Sequence, residues 1–313
     1  VEILQLLQEQ SVIRIPNSGP LARQARRAVA AGLAIRPLPG ILMAKRVEHD
    51  PNAWIFANWL WRPTSIVTGR AVLRWRGQPQ LKVPAVDALL PYSFPDHGLL
   101  KFHRSSLPGE LTDDAGRGLI ATPAAASLLL GQSGDWAPIC EALRIQAVTV
   151  GAIREARELL SRQLDAKTMD LTLRYLSENP WSVAELELHE LLRIAGITGW
   201  TGNSPVLLNV VDGGRDAIKE RFPDAAFEAE RLTIEVEGES YHNNSETFAK
   251  DILRSRWFAA AGWTRFPVTP KQLRAAPNDF LHNLCSLVHR RHRPASLPSV
   301  RYCPEAPFWR KSP

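Results

Sequence analysis

Apolar positions recur along the first fifty residues with a helical period and then a strand-like one. Residues 2–9 place Ile3, Leu6 and Leu7 on one side of a helix. Asn17 or Ser18 caps a second helix, and Pro20 suits its first turn. There Leu21, Ala25, Ala28 and Val29 repeat at helical spacing and form a buried stripe, with Arg23, Gln24, Arg26 and Arg27 outside it. Gly32 ends that helix. Residues 33–38 and 41–43 then read as two short strands around Pro39-Gly40. Helix, helix, β-ribbon is the order of a winged helix-turn-helix.

Residues 49–165 read as an α+β middle region with little chemistry. Trp54, Trp59, Trp61 and Trp75 are expected in its core. Pro79, Pro84, Pro91, Pro95 and Pro108 punctuate short strands and turns, and residues 137–163 return to a helical pattern. His97 and His103 have no partner at metal-ligand spacing and read as surface or core histidines. Further on, residues 182–195 predict an amphipathic helix ended by Gly196. Residues 206–211 and 216–222 predict a hairpin around Gly213-Gly214, with 224–227 continuing its sheet. Residues 232–237 alternate: Leu232, Ile234 and Val236 face one way, Thr233, Glu235 and Glu237 the other.

Charge divides the chain more sharply than hydropathy does. The net charge of +6 over 313 residues permits nucleic-acid binding without establishing it. Between Glu9 and Glu48, however, there is no acidic residue, while Arg14, Arg23, Arg26, Arg27, Arg36, Lys45 and Arg46 fall there. That run predicts a DNA-docking surface, with Arg23, Arg26, Arg27 and Arg36 its candidate contacts. From Asp224 to Asp251 the balance reverses, with eight acids against Arg231 and Lys250. No apolar run is long enough to cross a bilayer. The first residues lack the basic-then-apolar pattern of a secretion signal, and three separated cysteines suit a reducing compartment, so a cytoplasmic location is expected.

The acidic segment carries the specific chemistry. The pattern Pro223-Asp224-x10-Glu235-Val236-Glu237-Gly238-x3-His242 puts Glu235 and Glu237 on one strand face, and a tight turn brings Asp224 towards Glu235. Clustered carboxylates repel unless a cation compensates them, and hard oxygen ligands select Mg²⁺ or Mn²⁺. Such an ion polarises a phosphodiester and activates water. His242 is then a candidate base or phosphate donor.

Residues 182–268 resemble the very-short-patch-repair-like endonuclease domain of the PD-(D/E)XK superfamily. The resemblance rests on Ser182-x-x-Glu185, residues 191–196 (LLRIAG), Asp224 through Gly238, His242, Phe248-x-x-Asp251-x-x-Arg254 and Gly262-Trp263-Thr264-Arg265, in that order. Residues 21–40 are similar to the winged helix of AbiEi-type antitoxins, a pairing that resembles an actinobacterial family. The first resemblance implies a restriction-endonuclease-like sheet with flanking helices. Asp224 and Glu235 would hold the divalent ion with the backbone carbonyl of Val236, and Glu185 would reach it or its water shell. Glu237 stands where the wider superfamily often has lysine, which leaves His242 to orient water. Arg254 and Arg265 match later polar positions; Arg265 would pair with a phosphate or with Asp251. Two local readings stay open: Ser182-x-x-Glu185 is also a capping box, and Asp251 and Arg254 also form an i, i+3 helix pair.

The expected organisation is therefore mixed α/β. A winged helix-turn-helix spans 1–48, an α+β region 49–165, an endonuclease-like domain 166–290, and a basic Pro/Arg-rich tail 291–313. The expected function is a Mg²⁺- or Mn²⁺-dependent DNA endonuclease in repair or phage defence. The alternative is an antitoxin-type transcriptional regulator with a non-catalytic nuclease-like domain, whose partners are DNA and a nucleotidyltransferase-like toxin. Neither reading involves a membrane.

Overall fold

A computed structural model describes residues 2–160, 166–238, 245–288, 293–304 and 308–311. The chain is mixed α/β and divides into two compact units, Val1–Thr172 and Leu173–Pro313. No helix among the described residues is long and apolar enough to cross a membrane.

The first unit begins with α1 (Glu2–Gln10), β1 (Val12–Arg14), α2 (Gly19–Ala30), β2 (Ala34–Ile35) and β3 (Ile41–Ala44). The strands form an antiparallel sheet in the order β1-β3-β2. Ile3, Leu7, Ile13, Ala25, Ala28 and Leu42 pack into one core beneath it. β1 is a difference from the expected helix–helix order. Val12 and Ile13 are both buried, and pairing with β3 satisfies their backbone there. Gly32 takes φ +69° after α2, and Leu33 N–H donates to the Ala28 carbonyl at 2.9 Å, closing the helix with a Schellman motif. Arg46 Nη2 donates to the Leu7 carbonyl at 2.8 Å at the end of α1, so this member of the basic run is structural.

The unit continues through α3 (Pro51–Trp61), β4 (Ile66–Thr68), α4 (Arg70–Trp75), β5 (Val86–Leu90), β6 (Leu100–Arg104), β7 (Thr112–Asp114) and β8 (Leu119–Ala121). Then come α5 (Pro123–Gln132), α6 (Trp136–Arg144) and α7 (Val150–Leu159). A five-stranded mixed sheet runs β6-β5-β4-β8-β7. Trp54 and Trp59 are core residues as expected, and Trp59 Nε1 donates to the Leu119 carbonyl at 3.1 Å. Gly118 abuts that ring: a Cβ there would stand 2.3 Å from Trp59 Cδ1. Trp61 is half-buried, and Trp75 is 42% exposed and meets Trp59 edge-on, so it rims the core rather than filling it.

The boundary between the units falls within α8 (Ala166–Leu176). The second unit holds α9 (Val183–Ile194), β9 (Val206–Asp212), β10 (Arg215–Arg221), β11 (Ala225–Phe227), β12 (Leu232–Val236), α10 (Ser245–Ala260) and β13 (Thr264–Val268). It ends with α11 (Pro270–Ala275), α12 (Pro277–Leu287), β14 (Val300–Cys303) and β15 (Phe308–Lys311). The hairpin β9–β10 forms as expected, but β11 does not extend it. Instead β11 pairs antiparallel with β12, and β12 pairs parallel with β13 across the α10 crossover. With neighbours on both edges β12 is central, and Thr233 and Glu235 are buried as well as Leu232 and Ile234.

α9 is not amphipathic in place. Glu185, Glu187, His189 and Glu190 are buried alongside its leucines, each held by partners. Glu187 receives Arg274 at 2.8 and 2.9 Å and the Tyr302 hydroxyl at 2.9 Å, and its backbone carbonyl receives Trp309 Nε1 at 2.8 Å. Within the expected tail, β14 and β15 thus pair antiparallel and bury Val300, Phe308 and Trp309. The adjacent Phe308 and Trp309 of β15 are both buried, which the Pro/Arg-rich composition of the segment does not signal. The basic run at 289–292 lies outside the described residues.

Candidate functional site

The register of β11 with β12 places the site. Ala225 pairs with Ile234, so Asp224 stands opposite Glu235 on the same sheet face. Asp224 Oδ2 accepts the Val236 backbone N–H at 2.5 Å, and the Asp224 carbonyl accepts His189 Nε2–H at 2.7 Å. The imidazole is fully buried, with Gly202 so close that a Cβ there would stand 2.6 Å from its Cε1. Burial pushes the His189 pKa down to about 3, so the ring stays neutral.

Glu235 is 5% exposed. Its Oε2 accepts from Arg254 Nη2 at 2.6 Å, while its buried Oε1 has no hydrogen-bond partner among the described residues. Glu185 enters from α9. Its backbone N–H is capped by Ser182 Oγ at 3.1 Å, and its carboxylate accepts from Trp181 N–H at 2.7 Å and Asn203 Nδ2 at 2.6 Å. Capping and a place at the site therefore coexist in Ser182-x-x-Glu185.

Electrostatics couples these carboxyls. Burial, reinforced by the charges of Glu185 and Glu235, holds the Asp224 carboxyl well above the usual range. Burial raises Glu235 against the opposing pull of Arg254 and Arg265, and raises Glu185 against its hydrogen bonds from Trp181 and Asn203. Glu237 turns to an adjoining ion cluster: Arg265 donates to Glu237 Oε1 and Asp251 Oδ1, each at 3.2 Å, and to Ser255 Oγ.

Of the two partners expected for Arg265, a phosphate or Asp251, the structure shows Asp251. Arg265, part-buried, pairs with Asp251 and Glu237, and Arg254 is the counter-cation of Glu235 rather than the helix partner of Asp251. Glu235 in β12 and Glu237 just beyond it each take one guanidinium group. Val236 serves the site through its N–H. His242 lies outside the described residues. Among the described residues, no three or more His, Cys, Asp or Glu side chains stand at metal-holding geometry. The all-oxygen donor set and the unpartnered Glu235 Oε1 nevertheless suit a hard cation.

In the first unit Arg23, Arg26, Arg27 and Arg36 are all exposed, and none has an acidic partner among the described residues. Ala22, Ala25 and Ala28 occupy the opposite, buried stripe of α2. Two positioning groups went unread in the sequence. His189 sits one helical turn after Glu185, a spacing that places it on the same face of α9. Asn203 carries no comparable signal, because only the folded loop brings its amide to Glu185. No family model, curated protein or solved structure matches the chain.

Proposed function

We propose that the chain is a cytoplasmic DNA-binding endonuclease dependent on Mg²⁺ or Mn²⁺. What supports this reading is Asp224 placed opposite Glu235 across β11 and β12, the charge of Glu185 acting on Asp224, and one buried Glu235 oxygen left unpaired. Asp224 and Glu235 would hold the ion, and Glu185 would bear on its hydration shell. When bound, the ion supplies Lewis acidity towards a phosphodiester and lowers the pKa of a coordinated water. The chain's own residues prepare that geometry. His189 and the Val236 N–H fix Asp224, Asn203 fixes Glu185, and Arg254 balances Glu235. The arginines of α2 would dock duplex DNA as a winged helix does, in the major groove.

A plasmid-nicking assay in Mg²⁺ or Mn²⁺ tests the reading. The parent should nick, and Asp224→Asn and Glu235→Gln should each lose at least about a hundredfold. A parent that nicks no DNA, or variants that match it, would refute catalysis.

The ion pair between Arg254 and Glu235 favours a second reading, since it already supplies a cation to the cluster. Here the protein is an antitoxin-type regulator that binds DNA without metal and pairs with a nucleotidyltransferase-like toxin. Metal-independent, sequence-specific binding by an inactive parent supports it.

A further inference from the structure

The first unit contains a cavity of about 420 Å³ that the nuclease reading does not use. It lies between the sheet and the C-terminal end of α5. Thr68 pairs with Asp87, and Leu89 with His103, so β4, β5 and β6 present these side chains on one sheet face. Leu129, Leu130 and Gln132 of α5 line the facing side.

The lining is apolar at its base and balanced in charge. Leu89 and Leu130 are buried. His103 Nε2–H donates to Asp87 Oδ1 at 2.7 Å, which fixes the ring and pairs the acid, so the cavity is built for neither a bare cation nor a bare anion. His103 is exposed, in keeping with the expected surface or core histidine, and this hydrogen bond to Asp87 comes from the β5–β6 pairing. Gly69 closes in on the acid: at φ +67° its missing Cβ would stand 3.0 Å from Asp87 Oδ2.

Some polar capacity is unspent. Thr68 is 3% exposed, and its Oγ1 has no hydrogen-bond partner among the described residues. The Gln132 amide, which offers both a donor and an acceptor, is likewise unengaged there, as is the exposed Arg104 guanidinium. An orphaned hydroxyl in a preformed apolar cleft points to a ligand that completes it.

We propose that this cavity binds a nucleotide, with the heterocyclic base against Leu89, Leu129 and Leu130, its edge on Gln132 and Thr68, and its phosphate on Arg104. A base has apolar faces and a rim of donors and acceptors, which this lining complements, and the sugar of a mononucleotide carries one phosphate, which one unpaired arginine matches. The nucleotide comes either from the free pool or from a strand whose base has left the stack.

The full-length chain is titrated with AMP, GMP, CMP and UMP and with inorganic phosphate, by calorimetry. At least one nucleotide should saturate with a Kd of about 1 mM or tighter, and inorganic phosphate should not displace it. Arg104→Ala should weaken binding about tenfold, Gln132→Ala should change the ranking of bases, and Arg26→Ala should change neither. Displacement of the bound mononucleotide by a single-stranded oligonucleotide assigns the strand as source; no displacement assigns the free nucleotide. The proposal is overturned if no nucleotide binds, if phosphate alone competes equally, or if Arg104→Ala and Gln132→Ala both bind like the parent.

Discussion

His189 Nε2 stands 2.7 Å from the carbonyl oxygen of Asp224, tying the middle of α9 to the residue just before β11. The bond needs a proton on Nε2 and by itself favours the charged ring, but burial outweighs it and keeps the ring neutral by pushing the pKa down to about 3. In the unfolded chain the same histidine takes a proton near pH ~6.5. The unfolded state therefore binds more protons between these values. This contribution is whole above about pH 6.5 and is lost as pH falls towards 3. Urea denaturation across that window should show the parent losing stability more steeply than His189→Gln, whose amide keeps a donor without titrating.

Asp224 has the opposite sign. Its carboxyl is raised by burial and by Glu185 and Glu235, so its ionisation opposes folding. That group's stability is present below the unfolded value of about 4 and is lost as pH rises through the folded one. Asp224→Asn should raise Tm at neutral pH, with the gain shrinking in acid, while nicking disappears. Thermal melts at pH 4 and pH 7 check the sign.

Arg254→Ala leaves Glu235 buried without its 2.6 Å partner. Because Arg254 is part-exposed, the loss should be about 1–3 kcal/mol rather than the larger cost of a fully buried pair. Millimolar Mn²⁺ should restore more Tm to this variant than it adds to the parent. Equal Mn²⁺ shifts in both would detach the cluster from any metal role.

Replacing Arg23, Arg26 and Arg27 together with alanine removes exposed charge from α2 and leaves its buried stripe intact. DNA affinity should fall for every sequence. The slope of log affinity against log salt should become shallower by about 0.9 for each phosphate that is no longer neutralised. Fluorescence anisotropy over a salt series reads both.

Trp309 is 1% exposed and bonded to α9, so Trp309→Ala should cost about 3–5 kcal/mol. A solvated tail would show no change in the denaturation midpoint.

Periodicity made much of this architecture legible. The stripe of α2, the hairpin β9–β10 and the alternation of β12 follow from side-chain spacing alone, as does the opposition of Asp224 and Glu235. Partners distant in sequence were not legible. For Arg254 and Arg265 the sequence suggested Asp251 as a partner, but not Glu235 and Glu237, which only the fold brings to them. Trp309 reads as part of a polar terminus until α9 offers it the Glu187 carbonyl. Residues 206–227 read as one continuous sheet, because strand propensity does not say which edge a strand will choose.

The clasp of Trp309, Tyr302 and Arg274 around Glu187 bears on how the molecule is made. During translation α9 leaves the ribosome more than a hundred positions ahead of Trp309. Until that tryptophan emerges, Glu187 lacks most of its clasp and the helix carrying Glu185 and His189 is not fully anchored. The arginine-bearing α2 faces no such delay, because its sheet closes within the first fifty positions. A nascent chain thus completes its basic face well before it acquires an ordered acidic centre.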